Sequence, residues 1–85
     1  MIYSVSYLEE VVKNDIKQLP KTVKNMVKKA IEQKLLLDPI GFGKPLRYSL
    51  KGHRRLRVGD YRVVYRMNES EILVVAIKHR KDVYE

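Results

Sequence analysis

The chain has 85 residues, with 18 lysines and arginines against 10 aspartates and glutamates, a formal net charge of +8. That length suits one small domain over residues 1–85, with a modest core and marginal stability unless a partner adds to it. The charge favours an acidic partner, nucleic acid or protein, and the lack of cysteine excludes disulfides and thiolate metal sites and fits a reducing cytoplasm.

The first ten residues, MIYSVSYLEE, lack a basic segment followed by a long apolar one, so no signal peptide is expected. No apolar run reaches membrane-spanning length, so no membrane partner is expected either. Ile2–Tyr7 alternates in the manner of a strand. Leu8, Val11, Val12, Ile16 and Leu19 then recur at helical spacing, and Pro20 closes that helix. Val23, Met26, Val27, Ala30, Ile31 and Leu35 form the apolar stripe of a second helix running to Leu37. The short connection makes the two an antiparallel helical hairpin.

Asp38–Pro45 reads as a loop, with two prolines and two glycines. Leu46–Leu50 is a short strand or an irregular arm, broken by Lys51-Gly52. Three strands follow, over Arg54–Val58, Tyr61–Met67 and Ile72–Lys78, with turns at Gly59-Asp60 and Asn68–Glu71. His79–Glu85 is a polar tail ending near Tyr84. The order βαα followed by a β-meander predicts an α+β fold, with the helical hairpin packed on one face of an antiparallel sheet.

The hairpin HRRLRVGDYRVVYR, residues 53–66, carries the functional signal. A tight turn at Gly59-Asp60 sets Arg57 opposite Arg62 and Leu56 opposite Val63. Leu56, Val58, Tyr61, Val63 and Tyr65 then share one face. His53, Arg55, Arg57, Arg62 and Arg66 share the other, with Val64 and either Val75 or Ile77 as an apolar floor. Like charges directly across a ladder are destabilising. A bound polyanion is the simplest reason to keep them. All seven arginines lie from Arg47 onward, whereas the helices carry only lysines. Guanidinium forks suit phosphate, and helical lysines suit solvent.

Two further groups bear on this face. His79-Arg80 leaves the last strand at the rim, and Tyr84 follows, able to stack on a base, donate a hydrogen bond or act as an acid. His53 and His79 are the only histidines, a poor metal signal without carboxylates or cysteines at ligand spacing. Either imidazole could move a proton. Lys51 and Arg54 extend the basic stretch. The chain has no phosphate-cradling glycine loop, no Ser-His-Asp pattern and no paired carboxylates in an apolar setting.

Across Arg55-Leu56-Arg57-Val58-Gly59-Asp60-Tyr61-Arg62-Val63-Val64-Tyr65, with His79-Arg80 and Val83-Tyr84 downstream, the chain resembles the RelE/ParE superfamily of toxins, most closely its RelE branch. The length and the βααβββ order agree with that resemblance. It implies the toxin of a type II toxin–antitoxin pair, an mRNA interferase that enters the ribosomal A site and cuts the message without a metal or other cofactor. In that chemistry the ribose 2′-hydroxyl attacks the adjacent phosphate, leaving a 2′,3′-cyclic phosphate and a 5′-hydroxyl. Carried over by position, Arg62 and Arg80 match the arginines that hold the scissile phosphate. Arg55 matches a lysine or arginine that stabilises the transition state, and Tyr84 matches the tyrosine that stacks on or orients the cleaved nucleotide. Arg54, Arg57, Arg66, His79 and Lys51 would contact the RNA.

The chain departs from the family pattern at three positions, one of them Arg54, which stands where many relatives have an aromatic. Some RelE toxins carry two lysines on the strand before the turn, where this chain has His53 and Arg55, and arginine cannot serve as a base at ordinary pH. The base is then His53, Tyr84 or His79. The implied partners are an acidic antitoxin, the ribosome and mRNA. Two other readings stand beside this one: a ParE-like inhibitor of DNA gyrase, and an RNA- or protein-binding module of the same fold without activity.

Overall fold

The computed structural model describes residues 3–46 and 52–82. Strand β1 (Ser4–Tyr7) leads into helix α1 (residues 9–18), and helix α2 (residues 21–35) follows Pro20. A short helix α3 (Pro39–Phe42) precedes β2 (Lys44–Pro45). The meander is β3 (His53–Val58), β4 (Tyr61–Asn68) and β5 (Glu71–His79), closed by a 3₁₀ turn over Arg80–Asp82. The sheet order is β1-β5-β4-β3-β2. β1 runs parallel to β5, and the other pairs are antiparallel.

Both long helices contain π-helical turns, over Val11–Ile16 and Ile31–Leu35. Residues five apart are in register in a π turn, which carries Val11 and Ile16 toward the core together. Leu8 and Val12, expected in the same stripe, are exposed instead. In α2 the buried stripe is Val27, Ile31 and Leu35, with Val23 half-buried. Leu36 N–H bonds to Ile31 O at 3.0 Å and ends the helix short of Leu37.

The stretch read as a loop contains α3. Asp38 caps it, accepting the Gly41 N–H at 2.9 Å, and Pro39 occupies the first turn, a pairing suited to starting a helix. Two side chains from the sheet hold this corner. Arg54 Nη2 donates to Ile40 O and Gly43 O at 2.9 and 3.0 Å. The buried Tyr65 hydroxyl donates to Pro39 O. The arm expected over Leu46–Leu50 lies, apart from the buried Leu46, outside the described residues.

The core under the helices joins Leu56, Val58, Val63, Tyr65, Ile72, Val74 and Ile77 of the sheet to Val11, Leu19, Val27, Ile31 and Leu35. Plain alternation along β5 would put Ile77 on the opposite face from Ile72 and Val74. A bulge resolves the conflict: Val64 pairs with Ala76 and Tyr65 with Val74, leaving Val75 as the extra residue. Ile77 therefore joins the core, and the open face receives Ala76 beside Val64. This corrects the expected floor of Val64 with Ile77.

Burial pushes the Tyr65 hydroxyl above its ordinary pKa of 10.0, against an opposing hydrogen bond from Arg54. Tyr7 is raised as well, first by burial and then by Glu32. The unfolded chain releases these protons first. The stabilising contribution is therefore complete below pH 10 and is lost as pH rises through the folded-state values. Urea midpoints measured across this alkaline range should fall, and Tyr65→Phe should make the fall shallower.

Candidate nucleic-acid interface

The register of β3 on β4 builds the basic face. Arg57 pairs with Arg62, Arg55 with Val64 and His53 with Arg66. These residues lie on the side of the sheet away from the helices, since their alternates Leu56, Val58, Val63 and Tyr65 are in the core. Val64 is 5% exposed and forms the apolar floor. Arg55 and Arg62 are each 8% exposed, while Arg57 and Arg66 reach solvent. So two arginines are sunk at the centre and two stand at the rim.

Arg62 is oriented by its own turn. Its Nη1 donates to Gly59 O and Tyr61 O, both at 3.0 Å. Gly59 has φ +60, the left-handed conformation that glycine adopts readily. Arg55 has its pKa lowered, first by desolvation and then by the charges of Arg57 and Arg62. It remains a cation under ordinary conditions, but one whose charge is disfavoured where it sits. The negative charge of a phosphate placed there would offset that repulsion and favour the charged form.

Lys44 is a residue missed as a site candidate. It pairs with Arg55 from the neighbouring strand β2 and is exposed. Its place in the basic run was visible, but its register depended on a two-residue strand. Asp15 was missed too. It is 9% exposed on α1, with Oδ2 accepting the Ile77 N–H at 2.9 Å and Oδ1 taking Lys78 Nζ at 2.8 Å. The signal was present: Val11, Asp15 and Leu19 recur every fourth residue, an acid inside an apolar stripe.

The other expected site residues are distributed as follows. Arg80 begins the turn after β5 and stands at the Gly59-Asp60 end of the hairpin, as Arg57 and Arg62 do. Its N–H donates to Asp60 O at 2.7 Å, and its Nε lies 3.9 Å from Asp60 Oδ1. That exposed pair leaves the guanidinium accessible. His53 is half-buried, one alternate position from Arg55 and therefore roughly 7 Å along the strand. Its Nδ1 is buried without a hydrogen-bond partner among the described residues. Tyr84 and Lys51 lie outside the described residues.

Two placements differ from expectation. Arg54 pairs with Tyr65 and faces the helices, where its guanidinium is bonded to α3 carbonyls. Strand alternation puts it behind the arginine row, away from the face on which it was expected, and its guanidinium ties α3 to the sheet. Arg54→Ala should cost about 1–2 kcal/mol in a urea titration and leave the salt dependence of RNA binding unchanged. His79 pairs with Tyr61 and meets its ring edge-on at 5.3 Å, on the helical side of the rim. It is thus separated from Arg62 by the sheet, because Lys78 is the residue opposite Arg62.

No helix among the described residues is long and apolar enough to cross a membrane. They contain no cluster of three or more histidines and carboxylates able to hold a metal ion.

Comparison with known proteins agrees with this architecture. Residues 7–84 match the family described as the ParE toxin of type II toxin–antitoxin systems, parDE. Toxin RelG of Mycobacterium tuberculosis is 34% identical over 74 residues, covering 85% of each chain. Toxin RelE of the same organism is 33% identical over 72 residues, covering 82% of this chain and 74% of that protein. The crystal structure of the RelBE2 toxin–antitoxin complex from M. tuberculosis contains a chain that superposes with a TM-score of 0.86 at 28% identity. That match covers 94% of this chain and all of the other.

Proposed function

Because the chain belongs to the ParE toxin family of type II toxin–antitoxin systems, we propose that it is a ribosome-dependent endoribonuclease that cuts mRNA in the A site. The observation that carries this reading is the row of arginines around Val64, with Arg55 and Arg62 sunk at its centre. The names of the M. tuberculosis relatives, toxin RelG and toxin RelE, support it.

The scissile phosphate lies over Val64 and Arg55. Arg62 and Arg80 reach it from the turn end and hold its oxygens. Arg55 faces the charge that grows as the phosphorane forms. Fixed donors aimed at developing charge are the main catalytic term in such sites. His53 takes the proton from the 2′-hydroxyl. The O2′–P bond forms, the P–O5′ bond breaks, and the departing 5′ oxygen takes up a proton from water. Tyr84 stacks on the cleaved nucleotide. Arg57, Arg66 and Lys44 follow the flanking strand. The ribosome supplies the in-line geometry. No step calls on a metal or an organic cofactor.

The partner that restrains this activity is an acidic antitoxin, as the toxin–antitoxin assembly of the RelBE2 structure suggests for this fold. The test is primer extension on a message translated in a cell-free system with the purified chain. Cuts within ribosome-held codons, absent from untranslated RNA, are expected. The family match itself favours a second reading, a ParE-like gyrase inhibitor. That reading requires an intact message together with blocked DNA supercoiling, an outcome that would replace the nuclease proposal.

A further inference from the structure

Asp15 has no part in the chemistry above, yet it carries a charge to a nearly buried position. One of its contacts is explained by the sheet. β1 pairs with β5 only from Glu71 to Val74. Beyond that point the Ile77 N–H needs an acceptor, and Asp15 Oδ2 provides it at 2.9 Å. A neutral side chain could do the same. The second contact needs the charge: Oδ1 holds the Lys78 ammonium at 2.8 Å.

Stability gives weak grounds for that ion pair. Lys78 is 47% exposed, and pairs of this kind contribute little, while the buried carboxylate is costly to desolvate. The register offers a better reason. Lys78 stands directly opposite Arg62, and Arg62 directly opposite Arg57. Side chains directly opposite share a face. Without Asp15, three cations would line up across three strands, with Arg62 in the middle.

We infer that Asp15 is a positioning residue for the basic face: it draws the Lys78 ammonium around the edge of β5, so that Arg62 faces one cross-strand cation instead of two. The inference rests on the proposed RNA-binding role of that face. Asp15 acts through Lys78 and touches no substrate.

Asp15→Asn tests it, because asparagine keeps an acceptor for the Ile77 N–H and loses the charge. The readouts are polyuridylate binding titrated against salt, and single-turnover mRNA cleavage in cell-free translation. Released onto the face, Lys78 adds one phosphate contact. The slope of log K against log salt should steepen by about 0.7. Cleavage should slow roughly tenfold as Arg62 is displaced. Tighter, more salt-sensitive binding with slower cleavage is not what loss of folding produces. Adding Lys78→Gln to Asp15→Asn should restore both readouts.

An unchanged slope in Asp15→Asn overturns the inference. So does a loss of cleavage that follows the folded fraction and resists Lys78→Gln. If Asp15→Asn does not fold, Lys78→Gln alone decides: its slope should equal the parent's, and a shallower one places Lys78 on the face already and overturns the inference. A parent chain that neither binds polyuridylate nor cuts translated mRNA removes the RNA reading and this inference together. A parent that binds, with Asp15→Asn identical to it, removes only this inference.

Discussion

Arg62→Ala is expected to lower single-turnover mRNA cleavage by about a hundred- to a thousandfold, the usual loss when a preorganised donor to a developing oxyanion is removed. Arg62 is chosen because its surroundings already fix it. It is nearly buried, its Nη1 is held by Gly59 O and Tyr61 O, and it borders the apolar floor at Val64. The donors it presents are therefore set before RNA arrives. Arg62→Lys keeps the charge but loses the planar fork, so it should recover only part of the rate. Arg57→Ala removes the exposed partner across the ladder. Its effect should fall on affinity, with a salt slope shallower by about 0.7, and much less on the bound-state rate. Folding should survive Arg62→Ala, since the lost bonds belong to a surface turn and Arg55 is relieved of a repulsive neighbour. Cleavage by Arg62→Ala at the parent's rate would remove the catalytic assignment. Equal losses in Arg57→Ala and Arg62→Ala would reduce the face to an electrostatic binding surface.

The arginine row was legible in the sequence because its information is local. Gly59-Asp60 sets a two-residue turn, and from there strand alternation assigns every side chain between His53 and Arg66 to a face. The α+β order was legible for a similar reason, as periods of two and of about four residues mark separate segments. What escaped reading depends on contacts between distant residues. The parallel pairing of β1 with β5 joins Ser4 to Glu71, and no local pattern announces it. The bulge at Val75 follows from the core's demand for Ile77, which an alternation count cannot foresee. Arg54 sits in a run of cations and reads as one more. Its role appears only when α3 places two carbonyls within its reach. Pro39 and Asp38 did carry a helix-start signal, but it was outweighed by the two glycines and the second proline around it.

Gly43→Ala should be the most destabilising small substitution in the described part of the chain. The backbone itself would accept alanine, since Gly43 has φ −96. Space is the obstacle. A Cβ at Gly43 would lie 1.7 Å from the Tyr65 hydroxyl oxygen and 3.0 Å from Pro39 O. Tyr65 is fully buried and cannot swing away, and its hydroxyl is bonded to that same Pro39 carbonyl. Alanine must therefore break the bond and push α3 off the sheet. Overpacking and a lost buried hydrogen bond each cost about 1–3 kcal/mol, so roughly 3 kcal/mol is expected together. For a domain of this size that is a fall of about 15 °C in Tm. Tyr65→Phe removes the nearer of the two atoms in conflict and keeps the ring Cζ, which would lie 2.8 Å from that Cβ. If the hydroxyl clash is the main cause, Gly43→Ala should cost less in a Tyr65→Phe background than in the parent, a coupling that thermal melts of the four proteins would measure. Strict additivity would show instead that Gly43 is needed for some other reason. The consequence for the basic face runs through the chain itself: Gly43 precedes Lys44, whose pairing with Arg55 depends on where α3 ends. The strain should therefore also weaken RNA binding in the fraction of Gly43→Ala that remains folded, and the Tyr65→Phe background should give part of that affinity back.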